Sequence, residues 1–188
     1  ATSVDGGLKA ETEETIVPTN ESVKVTAEKT ELIRGEVTKA AAEITNGNSD
    51  DTRVNWTSSD TKVASVDKFG NITASGPGTT QITATNMNGI SGGIIIKVDV
   101  SIASIEKLIN GYTNTKDLVG PIVPQLTNNL SQAKHFIEKG NVNQAVKHIE
   151  DFLKHLNNPA MDSRISDTAK DALNIDAKAL IDKWSKND

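Results

Sequence analysis

The spacing of apolar residues changes once along this chain, near residue 100, and that switch limits the folds open to it. Before it, apolar and polar residues alternate, as in Val23-Lys24-Val25-Thr26 and Val54-Asn55-Trp56-Thr57. A period of two puts every second side chain on one face of a strand. After it, residues such as Ile105, Leu108, Ile109 and Tyr112 recur at the 3.6-residue spacing of a helix face. Strands followed by helices, without interleaving, predict two domains in series rather than one mixed α/β layer. The fold expected is an all-β sandwich followed by an all-α antiparallel four-helix bundle.

Turn residues divide the first part into short strands. Alternation runs through Val23 and Val25, Val54 and Trp56, Val63 to Val66, Ile72 and Ala74, Ile82 and Ala84, and Ile94 to Val100. Asn46 to Asp51, Phe69-Gly70-Asn71, Gly76-Pro77-Gly78 and Asn88-Gly89 are the turns between them. Glu36 to Thr45 is extended or helical, because Ala40-Ala41-Ala42 suits either. Trp56 is expected on a central strand, in the core. Residues 1–20, rich in Thr, Glu and Gly, read as a linker or an edge strand.

Four helices are expected beyond Val100. The first covers 102–112. The second covers 121–139, with Pro121 at the first helical position and Gly140 as its stop. The third covers 142–156, with Asn141 and Gln144 spaced as a capping box. The fourth is capped by Ser166 and carries Ala169, Leu173, Leu180 and Trp184 on one face. The spacing from Val100 to Ile102 makes the connection between the domains short and stiff.

Charge and composition remove several functions. The net charge of −5 and the absence of a basic stripe disfavour nucleic acid. The negative balance sits before residue 100, with 9 Lys+Arg against 14 Asp+Glu, while the rest carries 11 of each. Without Cys there is no disulfide, thiolate metal site or cysteine nucleophile. The longest apolar run, Ile94-Ile95-Ile96, is far short of the roughly 20 residues of a membrane helix. No charged-then-apolar leader opens the sequence, so the chain is expected to be a processed or excised part of a longer one. A monomer is expected.

Two stretches resemble known families. Val54-Asn55-Trp56-Thr57-Ser58-Ser59-Asp60, Val63-Ala64-Ser65-Val66-Asp67, Gly70-Asn71-Ile72-Thr73-Ala74 and Pro77-Gly78-Thr79-Thr80-Gln81-Ile82-Thr83-Ala84-Thr85 resemble bacterial Ig-like domains of group 2. Phe69 departs from that pattern, in a turn where a small or polar residue is usual. Leu108-Ile109, Gly120 to Leu130, Ala133, Gly140, Ala145, Phe152-Leu153, Ile165-Ser166, Ala169, Ala177 and Leu180 resemble the FIMAH domain, a helical module of secreted bacterial enzymes. The resemblance implies an immunoglobulin-like sandwich over 21–100 and a FIMAH-like helical domain over 102–188. It also implies an extracellular location and an upstream catalytic domain in the same polypeptide, such as a polysaccharide lyase, glycoside hydrolase or protease.

No constellation for bond chemistry emerges. His148 and His155 lie seven residues apart with Asp151 between them, spaced to share a cation, yet they flank the apolar stripe as a solvated surface does. Glu150 and Asp151 point about 100° apart and do not converge as a glycosidase pair must. Ser58, Ser59 and Asp60 have no nearby His. Asp50, Asp51 and Asp60 form oxygen-rich loops that suit Ca²⁺ or an ordinary turn, and no other cofactor is expected.

Ligand contacts are sought among the few aromatics and the lysines. Six aromatics are present. Phe69 stands in a turn, and Tyr112 and Trp184 at helix ends, where a ring can keep one wet edge. Lys147 and Lys154, with Lys134 and Lys139, give a local basic face. The function expected is a non-catalytic accessory region of a secreted bacterial enzyme. The Ig-like part would be a spacer and the helical part would target polysaccharide or cell-wall polymer. The alternative is a protein-interaction or structural module docking on its own enzyme or a surface partner.

Overall fold

The computed structural model describes residues 21–46 and 52–186. The linker expected at 1–20, and Asp50 and Asp51, lie outside the described residues. Among the described residues eight strands come first: β1 (Ser22–Ala27), β2 (Glu31–Ile33), β3 (Val37–Thr45), β4 (Val54–Ser58), β5 (Ala64–Val66), β6 (Asn71–Ala74), β7 (Gly78–Asn86) and β8 (Ser91–Asp99). They form two four-stranded sheets, β1-β3-β6-β5 and β2-β8-β7-β4. Among the described residues only β2 and β8 pair in parallel; the other pairs are antiparallel. The sheets meet over Leu32, Ala40, Ala64, Ile72, Ala74, Ile82, Ile96 and Val98, the inward residues of alternating strands.

Packing resolves what periodicity leaves open. The Ala triplet is strand, because Ala40 and Ala42 oppose Ala27 and Val25 across β1 and β3. Trp56 is not on a central strand: β4 ends its sheet, and the half-buried ring bridges the main core and a smaller cluster of Val23, Val25 and Ala84. Gly70 serves that ring. Its φ is +81°, and a Cβ there would stand 2.7 Å from the Ala40 carbonyl oxygen and 3.2 Å from the indole. At Gly92 a Cβ would overlap the Val23 carbonyl oxygen, so β1 reaches β8 only because this residue has no side chain. The short strand β2, which alternation does not reveal, exists through its pairing with β8.

The α-helices are α1 (Ile102–Thr115), α2 (Ile122–Glu138), α3 (Val142–Leu156) and α4 (Asp167–Ser185). A 3-10 helix, η1 (Pro159–Arg164), precedes α4, so the domain has five helical segments rather than four. Fully buried Ile105, Leu118, Ile122, Leu126, Leu130, Ile149, Phe152, Leu156 and Leu173 fill one core. Each such side chain contributes roughly 1.5–3 kcal/mol relative to staying wet.

The helix ends depart from the expectations in small, physical ways. α1 runs three residues past Tyr112, because Lys116 takes a left-handed conformation (φ 66°) and closes it without glycine. Pro121 sits at the cap position rather than inside α2. The full capping box belongs to Ser101 and Ser104, whereas Asn141 caps α3 one way, accepting from the Gln144 amide. Ser166 accepts from the Ala169 amide at the start of α4. Leu118 and Ile165 form an antiparallel bridge that ties the α1–α2 connection to the segment before α4.

Candidate binding clefts at the domain junction

The junction is built by charge. α4 turns Ala169, Ala172, Leu173, Asp176, Ala177 and Leu180 inward, so an acidic side chain lies in an otherwise apolar stripe. A carboxylate buried there without a partner would be costly. Arg34, in the β2–β3 turn, supplies the partner from the other domain. Its Nε donates to Asp176 Oδ1 and Oδ2 at 3.0 and 3.2 Å, and its Nη2 donates to Oδ1 at 2.6 Å. Nη1 donates to the Ser75 carbonyl. The carboxylate side chain is 2% exposed and the guanidinium side chain 15%. This two-pronged geometry is the strong form of a carboxylate pair, and it fixes orientation as well as distance.

A second strap sits where the chain crosses between domains. Lys183 of α4 donates to both Asp99 oxygens, at 2.8 and 2.9 Å, and to the Val100 carbonyl at 3.0 Å. Partial burial alone would raise the Asp99 carboxyl. The hydrogen bond and charge of Lys183, with the Val100 amide and Lys97, outweigh it and hold the group below the ordinary carboxylate range. Val100 is buried in the helical core and Ser101 already caps α1, so the connection has no slack.

Three clefts open around these straps. The first, about 340 Å³, lies between the β2–β3 turn and α1; Arg34, Gly35, Lys107, Gly111, Tyr112 and Asp117 line it. The second, about 290 Å³, is bounded by Ile102, Glu106, Lys134, Ile137, Lys183 and Trp184. The third, about 510 Å³, faces β7 and β8, with Lys97, Asp99, Asp182, Lys183 and Lys186. In the first, desolvation pushes the Tyr112 hydroxyl up from its ordinary value; Arg34 opposes this, and Asp176 and Asp117 add to it.

The candidate ligand contacts do not converge. Tyr112 and Trp184 line different clefts. Phe69 is 64% exposed in the β5–β6 turn, with the Lys68 ammonium 4.9 Å from its ring centre. Lys147 and Lys154 are exposed on α3, and Lys154 pairs with Asp151 at 2.8 Å. That hydrogen bond holds the Asp151 carboxyl down. His148 stacks on Phe136 at 5.3 Å, and His155 faces Gln125 at 3.4 Å. Asp60 accepts from the Lys62 amide as a turn residue, while Ser58 and Ser59 hydrogen-bond to buried Thr80. Among the described residues, no three His, Cys, Asp or Glu side chains cluster to hold a metal, and no helix is long and apolar enough to cross a membrane.

Arg34, Asp176, Lys107, Gly111 and Asp117 were not among the residues expected from the sequence. Asp176 carried a legible signal. It stands three residues after Leu173 and four before Leu180, on the face that must be buried, so it demands a cation from elsewhere. Nothing local identifies Arg34 as that cation, 142 residues away.

Residues 20–93 match the family model of the bacterial Ig-like domain (group 2), and residues 102–182 match that of the FIMAH domain. No curated protein matches the chain. Among solved structures, the intimin–Tir90 complex is similar at 19% identity and a TM-score of 0.36, over 48% of this chain and 58% of that one. A C-terminal intimin fragment bound to the intimin-binding domain of the translocated intimin receptor gives 19% and 0.36, over 50% and 39%. An EHEC O157:H7 intimin mutant gives 18% and 0.36, over 57% and 64%. The chain thus spans less than two thirds of each of these structures. The chain therefore carries a group 2 bacterial Ig-like domain over 20–93 followed by a FIMAH domain over 102–182.

Proposed function

We propose that this chain is the accessory region of a secreted bacterial carbohydrate-active enzyme. In this reading the Ig-like domain, 21–100, is the spacer. The helical domain, 102–188, is an antiparallel four-helix bundle that targets polysaccharide or cell-wall polymer. The observation that best supports it is the double strap of α4 onto the sandwich, through Arg34–Asp176 and Lys183–Asp99. A binding surface held in one pose at the end of a self-contained sandwich loses little orientational freedom when it docks. A tethered binder also raises the local concentration of a catalytic domain at a polymer. Tyr112 and Trp184, in junction clefts, are the favoured contacts; Phe69, Lys147 and Lys154 are separate exposed points. Affinity electrophoresis of the chain through gels containing a panel of polysaccharides tests the reading. Retardation on at least one polymer is expected, and equal mobility in every gel would contradict it.

A second reading, docking on the parent enzyme or a surface partner, draws on the apolar side chains that the sandwich leaves exposed, among them Ile95, Met87 and Val37. A structure of the parent enzyme with this region attached separates the two. An apolar interface above roughly 1,000 Å² over those residues favours docking.

A further inference from the structure

The cleft between the β2–β3 turn and α1 has features that packing does not account for. Gly111 lies inside α1, where glycine is unfavourable relative to alanine. A Cβ at Gly111 would meet nothing within 4 Å, so neither close approach nor a turn requires the glycine. What its missing side chain leaves is open cleft. Beside it stands Tyr112, half-buried against the helical core, the only tyrosine in the chain. Among the described residues, neither its hydroxyl nor the Lys107 ammonium has a hydrogen-bond partner. Asp117 Oδ2 takes the Thr115 hydroxyl at 2.6 Å, and Oδ1 accepts nothing from the described residues.

The groups left open are therefore an aromatic ring with a free hydroxyl, a cation with three donors and a carboxylate oxygen. Their formal charges cancel, since Arg34 is neutralised by Asp176 and Lys107 is matched by Asp117. A phosphate or sulfate would meet Asp117, and a bare cation would meet Lys107 and Arg34. A neutral polyhydroxylated ring suits all of the groups. Its hydroxyls both donate and accept, and its C–H face is apolar enough to lie against Tyr112. The volume, about 340 Å³, is near the lower end of the range of roughly 300–1,000 Å³ in which small ligands are held.

We infer that this cleft is a binding site for a neutral sugar unit of a polymer, with Tyr112 as the platform, Lys107 and Asp117 as the hydrogen-bonding groups and Gly111 keeping the floor open. The inference rests on the polymer-targeting reading above and assigns it a place and a ligand class. The test is affinity electrophoresis of the full chain and its variants in gels containing xyloglucan, galactomannan, hydroxyethylcellulose, polygalacturonate or hyaluronate. Gly111→Leu fills the cleft from a position with free space. Tyr112→Phe keeps the ring and removes only the hydroxyl. Thermal melts confirm that each variant folds.

Expected are retardation on at least one neutral polymer, a tenfold or greater loss of affinity in Gly111→Leu, and a threefold or greater loss in Tyr112→Phe. Retardation of both variants equal to that of the parent chain overturns the cleft and leaves polymer targeting standing. Retardation only in the uronate-containing gels overturns the neutral ligand. No retardation in any gel removes the targeting reading and the cleft with it. Should Gly111→Leu fail to fold, Tyr112→Phe and Lys107→Ala decide between the same outcomes.

Discussion

Replacing Asp176 with Asn removes the negative half of the ion pair that joins the sandwich to α4. The Arg34 guanidinium then keeps its charge, with the Ser75 carbonyl, a neutral amide oxygen in place of the carboxylate and slight solvent access to satisfy it. Removing one partner of a buried pair costs about 3–5 kcal/mol, and the 15% exposure of Arg34 places this case near about 3 kcal/mol. For a chain of this size each kcal/mol moves Tm by about 2–4 °C, so a fall of about 6–12 °C is expected. The chain carries its own reporters, because its two tryptophans, Trp56 and Trp184, lie in different domains. Urea unfolding of Trp56→Phe and Trp184→Phe follows each domain separately. The two transitions coincide in the parent chain and separate once Asp176→Asn is added. The double replacement Arg34→Met with Asp176→Leu returns to within about 1 kcal/mol of the parent, since exchanging both halves for packed apolar groups is neutral or stabilising. A loss below about 0.5 kcal/mol in Asp176→Asn, the size of an ordinary surface change, would show that the ion pair does not hold the domains together, as would separate transitions in the parent chain.

Gly92→Ala drives a methyl group into the Val23 carbonyl and parts β1 from β8; a loss of about 3 kcal/mol, the upper end of overpacking, is expected in urea unfolding. Because Tyr112 is the only tyrosine, phenolate absorbance titrates it alone. Its midpoint should lie above 10.0 in the folded chain and return to the ordinary value in urea. Its folded pKa is raised, so stability is unaffected well below pH 10.0 and declines as pH rises through the folded value. The Asp99 strap behaves oppositely. Its folded pKa is depressed below 3.8, so its contribution is present above that pH and is lost as pH falls through the folded value. Lys183→Met should flatten that acid limb in pH-dependent unfolding.

How far the sequence could be read follows from what each signal encodes. Alternation in β1, β4 and β6 to β8 and the stripes of α2 to α4 were legible because burial of one face writes a period into the residues. Strand β2, no longer than β5, was missed because its apolar residues, Leu32 and Ile33, are adjacent and show no alternation. Trp56 misled because a large apolar residue signals packing but not strand order; an edge strand can bury a ring as well as a central one. The end of α1 was missed because left-handed closure by lysine has no compositional mark. At the candidate site, Tyr112 was visible as a helix-end aromatic, and Asp176, though not singled out, was legible as a charge out of place. Their common neighbour, Arg34, was not, because juxtaposition across 142 residues is a property of the docked domains and not of any window.

Whether the chain brings an enzyme to a polymer without altering the chemistry is tested most directly by joining it to a glycoside hydrolase catalytic domain that cleaves the polymer retained in the gels, and measuring the rates with and without it. Polymer targeting predicts faster cleavage of the polymer at low enzyme concentration and an unchanged rate on a short soluble substrate. An equal rate on the polymer with and without the chain, or an equal gain on both substrates, would contradict it.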